Sequence, residues 1–434
     1  MKSVNIASVQ SVRYSIRKPS QTEFLMWVIV FLPFLFGLLN ELMRFPRSIR
    51  YLLDVAWVVL LMYLIGFSRK LSCRGTSKLM AWVILFFLYT LMGSIVQIQS
   101  LWYYVWGFRN NFRLYTAFFA FVLLLNPQNI ENYIRRFDGL FWIHVLVSLI
   151  QHFFFGIKQD QLGGLFSVEV GGNGYANLFL LIIVAKSAVW YLEKREKTFE
   201  CFAKCAAALF VAALAEMKFF FVEFAFVIIL AVLYTKFSWR KLWLTVGGVA
   251  AIFAAAAILV RLFPGFADFL SIEWFLNTAL SDKGYTSSGD INRLTAITKI
   301  NELWLHNGWQ RMFGLGLGNC DTSGFAFLNT PFFEKFGDYH YTWLSYAMIY
   351  LETGWSGLVF YFGFFVLVYR RICKIQKHVQ GEAACYCLIG RIVALLCMII
   401  SVYNSSLRTE AGYMAYFILA IPFAFNEKDG GDVR

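Results

Sequence analysis

The chain alternates between long apolar runs and short polar stretches that hold most of its Lys and Arg residues. Many of the runs approach the length of about 20 apolar residues that a helix needs to cross a bilayer. The pattern therefore predicts an all-α polytopic integral membrane protein with about twelve transmembrane helices. The predicted spans are residues 24–43, 51–67, 79–98, 112–126, 140–156, 175–192, 202–217, 219–235, 242–262, 354–369, 383–402 and 412–425.

Composition and charge agree with this fold class. Of the 434 residues, 59% are hydrophobic and only 15% are charged, whereas about 25% are charged in soluble domains. The net charge of +13 does not indicate a nucleic-acid partner, because the cations lie mainly in short loops between apolar runs, as in cytoplasmic loops. Lys and Arg are more numerous in the loops on one side, which predicts that both termini are cytoplasmic.

Cysteine and histidine spacing gives no sign of a disulfide, a metal site or a cofactor. Cys320 is the only cysteine in a clearly outer segment, so it has no predicted partner on that side. The sequence contains neither a Cys-x-x-Cys nor a His-x-x-x-His pattern of the kind that binds metals.

One long polar segment interrupts the apolar pattern. It divides the chain into residues 1–262 with helices 1–9, residues 263–353 as a periplasmic loop with cap helices, and residues 354–434 with helices 10–12. The apolar stretch 341–351 would extend only about 17 Å as a helix, against a bilayer core of about 30 Å. We expect it to lie at the outer interface. The GLGLGN sequence at 314–319 predicts a close-packed turn that returns the loop to the membrane.

His340 is the candidate base in this loop. Asp338 is a suitable N-cap, which would place His340 in the first turn of the following helix. The positive end of a helix favours neutral imidazole, which can accept a proton. The alternative is a histidine that merely caps an interfacial helix, and composition alone does not decide between the two.

Two cations are candidate ligands for an anionic group. Arg293 is predicted in the first half of a helix over 291–305, and its planar guanidinium suits phosphate oxygens; alternatively it is a solvated Arg paired with Asp290. Lys218 lies where two apolar runs meet, so it needs an anionic partner at the membrane surface. That partner is either Glu216 or Glu223, or a lipid headgroup or lipid pyrophosphate.

Three stretches together resemble the O-antigen ligase and Wzy polymerase superfamily of bacterial membrane glycosyltransferases. They are AEMKFFF with Lys218, RLTAITKINELW followed by MFGLGLGN with Arg293, and HYTWLSYAMIYLETGWSG with His340 and the E-x-G-x-x-G pattern. The resemblance covers most of the chain, including the large late loop, and implies a GT-C-like fold. The sequence departs from the family pattern at Tyr341, where Asn or Ser often follows the His, and at Lys218, where Arg is usual.

The resemblance implies inverting, metal-independent transfer of a glycan from undecaprenyl pyrophosphate to a sugar hydroxyl on the periplasmic side. His340 would be the base, and Arg293 and Lys218 would bind the pyrophosphate. Glu352, which orients the cap helix, and Tyr341 would support the site. The expected location is the bacterial inner membrane.

Three functions remain open, and we favour a polymerase of O-antigen, capsule or exopolysaccharide. The runner-up is an O-antigen ligase that transfers the glycan to lipid A core. A polysaccharide flippase belongs to a different class, but such transporters usually have repeated halves, which this sequence lacks. The expected partners are the lipid-linked oligosaccharide and membrane lipid, and the resemblance also admits a chain-length regulator protein.

Overall fold

The computed structural model describes residues 21–169, 171–236, 238–262 and 289–426, and these residues form helices without any strand. The first helix, α1, continues past residue 31 as a short 3₁₀ turn and a π turn. The helices are α1 Gln21–Phe31, α2 Leu52–Cys73, α3 Ser77–Val96, α4 Leu101–Leu124, α5 Pro127–Phe153, α6 Gly172–Leu192, α7 Thr198–Leu214, α8 Phe220–Tyr234, α9 Trp239–Leu262, α10 Ala296–Leu303, α11 Gly308–Phe313, α12 Pro331–Phe336, α13 Ser345–Gln376, α14 Glu382–Tyr403 and α15 Gly412–Ala424.

Eleven of the predicted spans lie mainly on one of these helices, and the first, 24–43, continues from α1 through the 3₁₀ and π turns. The all-helical class is therefore confirmed for the described residues. Among the described residues, four segments are long and apolar enough to cross a membrane: Ser48–Phe67, Ser77–Val96, Gly172–Leu192 and Glu382–Tyr403. Shorter apolar helices lie at Phe24–Leu35, Phe220–Tyr234 and Gly412–Ala424. These features indicate a membrane-embedded protein.

The centre of the bundle is formed by α6, α14 and α15. Helix α15 is buried along its whole length and packs on α4 and α14. Helix α13 pairs with α14 as an antiparallel hairpin. By contrast, α2 and α3 lie at the periphery and expose most of their apolar side chains. A helix that is apolar all round is stable only when protein or lipid covers it, so these two peripheral helices need lipid.

The connections between helices gather at the two ends of the bundle. At one end, Gln99 of the α3–α4 connection bonds the Leu317 carbonyl, and Ser406 of the α14–α15 connection bonds the Gly174 carbonyl. At the other end, the Asn426 side chain bonds the Arg74 carbonyl. The first end also carries the described part of the late loop, residues 289–344. We call this part, together with the first turns of α13 up to Thr353, the cap.

The stretch 341–351, predicted as a helix at the outer interface, forms a 3₁₀ turn over Tyr341–Trp343 and then the first turns of α13 from Ser345. Every residue from Leu344 to Gly354 is buried, because this helix is apolar on all sides and the rest of the cap covers it. The helix does break where the sequence analysis ended the cap: Gly354 has φ 65° and ψ −164° inside α13. Residues 263–288 of the predicted loop lie outside the described residues.

The break at Gly354 attaches the cap to α13. It leaves the carbonyls of Leu351 and Glu352 without their helical partners, and they accept instead from the N–H groups of Leu315 and Gly316, both at 2.9 Å. A side chain at Gly314 would collide with the Glu352 backbone at 2.3 Å. The GLGLGN stretch is therefore a close-packed turn, as predicted.

Candidate functional site

His340 lies on the cap between two short 3₁₀ turns, with a left-handed backbone at φ 53°. The following α-helix begins only at Ser345, so Asp338 does not act as its N-cap and His340 is not in its first turn. The prediction failed because residues 337–343 satisfy their backbone groups in two consecutive 3₁₀ turns instead. His340 therefore does not lie at the positive end of a helix.

A buried carboxylate holds the imidazole instead. Nδ1 of His340 lies 2.7 Å from Oδ1 of Asp290. The Asp290 side chain is only 2% exposed, whereas that of His340 is 32% exposed. The Ile291 N–H also donates to the Tyr339 carbonyl at 3.0 Å, which fixes the two chain segments side by side. An ionised Asp290 accepts a hydrogen bond from the Nδ1–H group of the neutral ring, and this leaves the Nε2 lone pair available.

Trp343 restrains the same ring from its face. The imidazole and indole centroids lie 3.9 Å apart with an interplanar angle of 20°. An aromatic face stabilises a neighbouring cation. The imidazolium that forms when His340 accepts a proton therefore has a carboxylate at one nitrogen and an indole against its face.

Arg293 lies three residues before α10, in a turn rather than within the predicted helix 291–305. Its Nε donates to the Tyr403 carbonyl at 3.0 Å, and its guanidinium carbon lies 4.7 Å from the centroid of the Tyr403 ring. The Tyr346 hydroxyl donates to the Arg293 carbonyl. These contacts fix the guanidinium against the C-terminal end of α14.

The residue after Lys218, Phe219, contacts the same tyrosine as Arg293 does. Phe219 stacks on Tyr403 with ring centroids 4.5 Å apart. Glu216 and Glu223, the two carboxylates predicted as structural partners of Lys218, also accept hydrogen bonds from other side chains. Glu216 accepts from Gln159 at 3.1 Å, and Glu223 accepts from Asn177 at 3.0 Å.

The predicted residues therefore converge. Tyr403 contacts Arg293 directly and the residue after Lys218 directly, while Asp290, three positions before Arg293, holds His340. Residues separated by more than 100 positions in the sequence are thus brought to one end of the bundle. Sequence reasoning missed both Asp290 as the partner of His340 and Tyr403 as the residue that contacts Arg293 and Phe219.

Glu352 and Tyr341 support the turn beneath the site. Both are fully buried, and both contact Cys320: its N–H donates to Glu352 Oε1 at 3.3 Å, and its carbonyl accepts from the Tyr341 hydroxyl at 2.7 Å. Burial, assisted by the charge of Asp321, raises the pKa of Glu352 from 4.5 to about 8. The carboxyl is therefore largely protonated at neutral pH.

An ionic network ties the α14–α15 connection to the bundle. Arg408 donates to Asp321 at 3.1 Å, and Arg113 donates to Glu410 at 3.0 Å and to the Arg408 carbonyl at 2.9 Å. Burial alone would raise the pKa of Glu410, but Arg113 and the Tyr175 hydroxyl lower it to about 2. The segment 403–411 thus positions both Tyr403 and the turn that contains Cys320. The sequence analysis had assigned it no role.

Within the part of the chain that the structure describes, no group of three or more His, Cys, Asp or Glu residues is arranged to hold a metal ion. The charged groups that the described contacts fix on the cap are His340, buried Asp290 and the guanidinium of Arg293. This set can accept a proton and neutralise an anionic leaving group.

A scan against protein-family models finds no match, and a search of curated proteins finds no significant match. The function of the chain therefore has to be inferred from the chemistry of the site and from the sequence resemblance.

Proposed function

We propose that the protein is a membrane glycosyltransferase that transfers a glycan from an undecaprenyl-pyrophosphate donor to a sugar hydroxyl. The observation that carries the proposal is the hydrogen bond between His340 and buried Asp290, three positions before Arg293, whose guanidinium lies against Tyr403. The resemblance to the O-antigen ligase and Wzy polymerase superfamily supplies the substrate class. The proposal includes twelve membrane crossings in the bacterial inner membrane, cytoplasmic termini and a periplasmic cap.

His340 acts as the general base. The acceptor hydroxyl gives its proton to Nε2 as its oxygen attacks the anomeric carbon of the donor sugar. Asp290 keeps the proton of the neutral ring on Nδ1 and stabilises the imidazolium that forms, as the carboxylate of a Ser-His-Asp triad does. Attack opposite the leaving group inverts the configuration at the anomeric carbon.

Arg293 and Lys218 stabilise the departing lipid pyrophosphate. As the bond between the anomeric carbon and the phosphate oxygen breaks, negative charge collects on the pyrophosphate. The guanidinium offers two parallel N–H donors to such oxygens, and the ammonium adds a second positive charge. Two fixed cations make a metal ion unnecessary in this scheme.

We favour a polymerase, in which the acceptor is another lipid-linked repeat unit. The test is glycan profiling of a strain that lacks the protein and is complemented with the wild type, His340→Ala or Lys299→Ala at matched protein levels. Lys299 lies on the same cap and its contact is an ion pair with Glu302 at 3.5 Å, so it serves as the control.

Each outcome separates one function from another. Single repeat units on the final acceptor in the deletion strain identify a polymerase, whereas full-length chains that accumulate on the lipid carrier identify a ligase. Purified protein in vesicles that moves the lipid-linked glycan without extending it identifies a flippase. Full activity of His340→Ala would refute the proposed site.

A further inference from the structure

Two small parts of the cap expose large apolar side chains that the proposed chemistry does not use. Helix α11 exposes Trp309 (58%) and Met312, and the 3₁₀ turn at 326–328 exposes Phe327 (70%) beside Phe325. We call these four residues the aromatic rim. Such side chains normally mark a surface that something else covers.

The aromatic rim packs beside Tyr51, just before α2, and beside Tyr89, in the second half of α3. Phe325 stacks on Tyr51, which precedes the first residue of α2, with centroids 5.2 Å apart. At the other part of the rim, the Tyr89 hydroxyl of α3 donates to the Met312 carbonyl at 3.1 Å. The rings of Trp309 and Phe313 lie 4.1 Å apart in a tilted arrangement, and Phe313 stacks on Tyr89.

These two helices are the candidate spans that depend most on lipid. In the most apolar part of α2 and of α3, only 22% of the residues are buried inside the protein, against 89% in α6. The exposed apolar surface continues past the end of α3 through Ile98 (92%), Leu101 and Trp102. The aromatic rim is therefore an extension of a surface that the bilayer covers.

We infer that the aromatic rim is seated in the interfacial layer of the membrane and anchors the cap there along its α2–α3 edge. Trp and other amphipathic aromatic side chains favour the headgroup level of a bilayer. Backbone polar groups near the hydrocarbon must also be satisfied, and Gln97 and Gln99 cap the carbonyls of Gly314 and Leu317 at this edge.

Anchoring has a consequence for the site. The cap is held to the bilayer at one edge and to α13 through Leu315 and Gly316, so His340 stays at a fixed height above the membrane. The inference rests on the exposed side chains and on the helix ends, not on the proposed reaction, and it can be tested without any substrate.

The test is spin-label accessibility in lipid nanodiscs. Phe327→Cys and Trp309→Cys carry a nitroxide, and Glu334→Cys, an exposed acidic position on α12 of the same cap, is the matched control. The unsubstituted protein measures labelling of the native cysteines, which are mostly buried among the described residues. Collision rates with oxygen, which partitions into lipid, and with a water-soluble nickel chelate are compared at each site.

We expect the labels at 327 and 309 to collide with oxygen and not with the nickel chelate, and the label at 334 to do the opposite. Labels at 327 and 309 that respond to the nickel chelate as 334 does would overturn the inference. Protection from both reagents would also overturn it, because that result identifies a protein surface, either a partner or a second copy, as the occupant of the rim.

Discussion

Nδ1 of His340 lies 2.7 Å from Oδ1 of Asp290, and these two residues are 50 positions apart in the chain. The carboxylate is almost completely buried, whereas the imidazole is one-third exposed. One nitrogen of the ring is therefore committed to the protein. The other nitrogen is the one that a substrate hydroxyl would use.

Asp290→Asn is predicted to reduce transfer by about 10²- to 10⁴-fold. The amide keeps the shape of the carboxylate, but it has no negative charge to hold the Nδ1 proton or to stabilise the imidazolium. The measurement is the rate of glycan extension by purified protein, with Asp338→Asn as the exposed control. Transfer by Asp290→Asn at the wild-type rate would show that the pair is only structural.

The double variant Asp290→Asn, His340→Ala sharpens this prediction. If the carboxylate acts through the histidine, the double variant is no slower than His340→Ala alone, because groups that act as a unit are not additive. A further tenfold loss in the double variant would assign Asp290 a separate role.

Arg293→Ala is predicted to reduce transfer by about 10²-fold, as expected for the loss of a donor that stabilises developing charge. Arg293→Lys keeps the charge but loses the planar fork and the contact with Tyr403, so we expect an intermediate activity. Lys299→Ala, on the same cap, is expected to retain wild-type activity. If Arg293→Ala and Lys299→Ala are equally active, Arg293 does not stabilise the leaving group and the assignment is wrong.

The positions of the helices could be predicted because each predicted span is a long local run of apolar residues, and the resulting segments all fall on helices. The exposure of the stretch 341–351 could not be predicted in the same way. Its apolar residues fit an interfacial helix and a buried helix equally well, and the outcome depended on cap residues 315–320 folding over it.

The immediate sequence around each site residue indicates its candidate role, but it does not indicate which residues it contacts in the fold. His340, Arg293 and Lys218 were chosen from their immediate sequence. Asp290 was considered only as a neighbour of Arg293, because a pairing across 50 residues leaves no periodic trace. The role of Tyr403 was equally hidden, since a Tyr at the end of an apolar run is most often an interfacial residue.

The raised pKa of Glu352 predicts how the free energy of unfolding depends on pH. Its pKa is raised from 4.5 to about 8 in the folded protein, so the folded state binds more protons than the unfolded state between these values. Stability therefore falls as pH rises through this window, by up to about 1.4 kcal/mol per unit. Glu352→Gln cannot lose a proton and is predicted to flatten the dependence.

Melting temperatures in nanodiscs at pH 5 to 8.5 test this prediction. The control is Glu302→Gln, since Glu302 is half exposed and pairs only loosely with Lys299 at 3.5 Å. It should follow the wild-type curve. A Glu352→Gln curve parallel to that of the wild type would contradict the proposed protonation of Glu352.

Among these variants, breaking the ion pair between Arg113 and Glu410 is expected to cause the largest loss of stability. Both side chains are nearly buried and 3.0 Å apart, so Glu410→Gln leaves a buried guanidinium without its counter-charge. Such a change typically costs about 3–5 kcal/mol. Glu131→Gln breaks the exposed pair with Arg135, in which both side chains are largely in solvent, and should cost less than about 1 kcal/mol.

Thermal unfolding of Glu410→Gln and Glu131→Gln in the same nanodiscs compares these losses of stability. The double variant Arg113→Met, Glu410→Gln is measured beside them. Because the second change removes the unpaired charge, the double variant should be more stable than Glu410→Gln alone.

The same preparations test whether segment 403–411 positions Tyr403 for the transfer reaction. If that segment fixes Tyr403, Glu410→Gln lowers transfer even below its melting temperature, whereas Glu131→Gln does not. If the folded Glu410→Gln variant transfers glycan at the wild-type rate, the ionic network stabilises the fold but does not position the site.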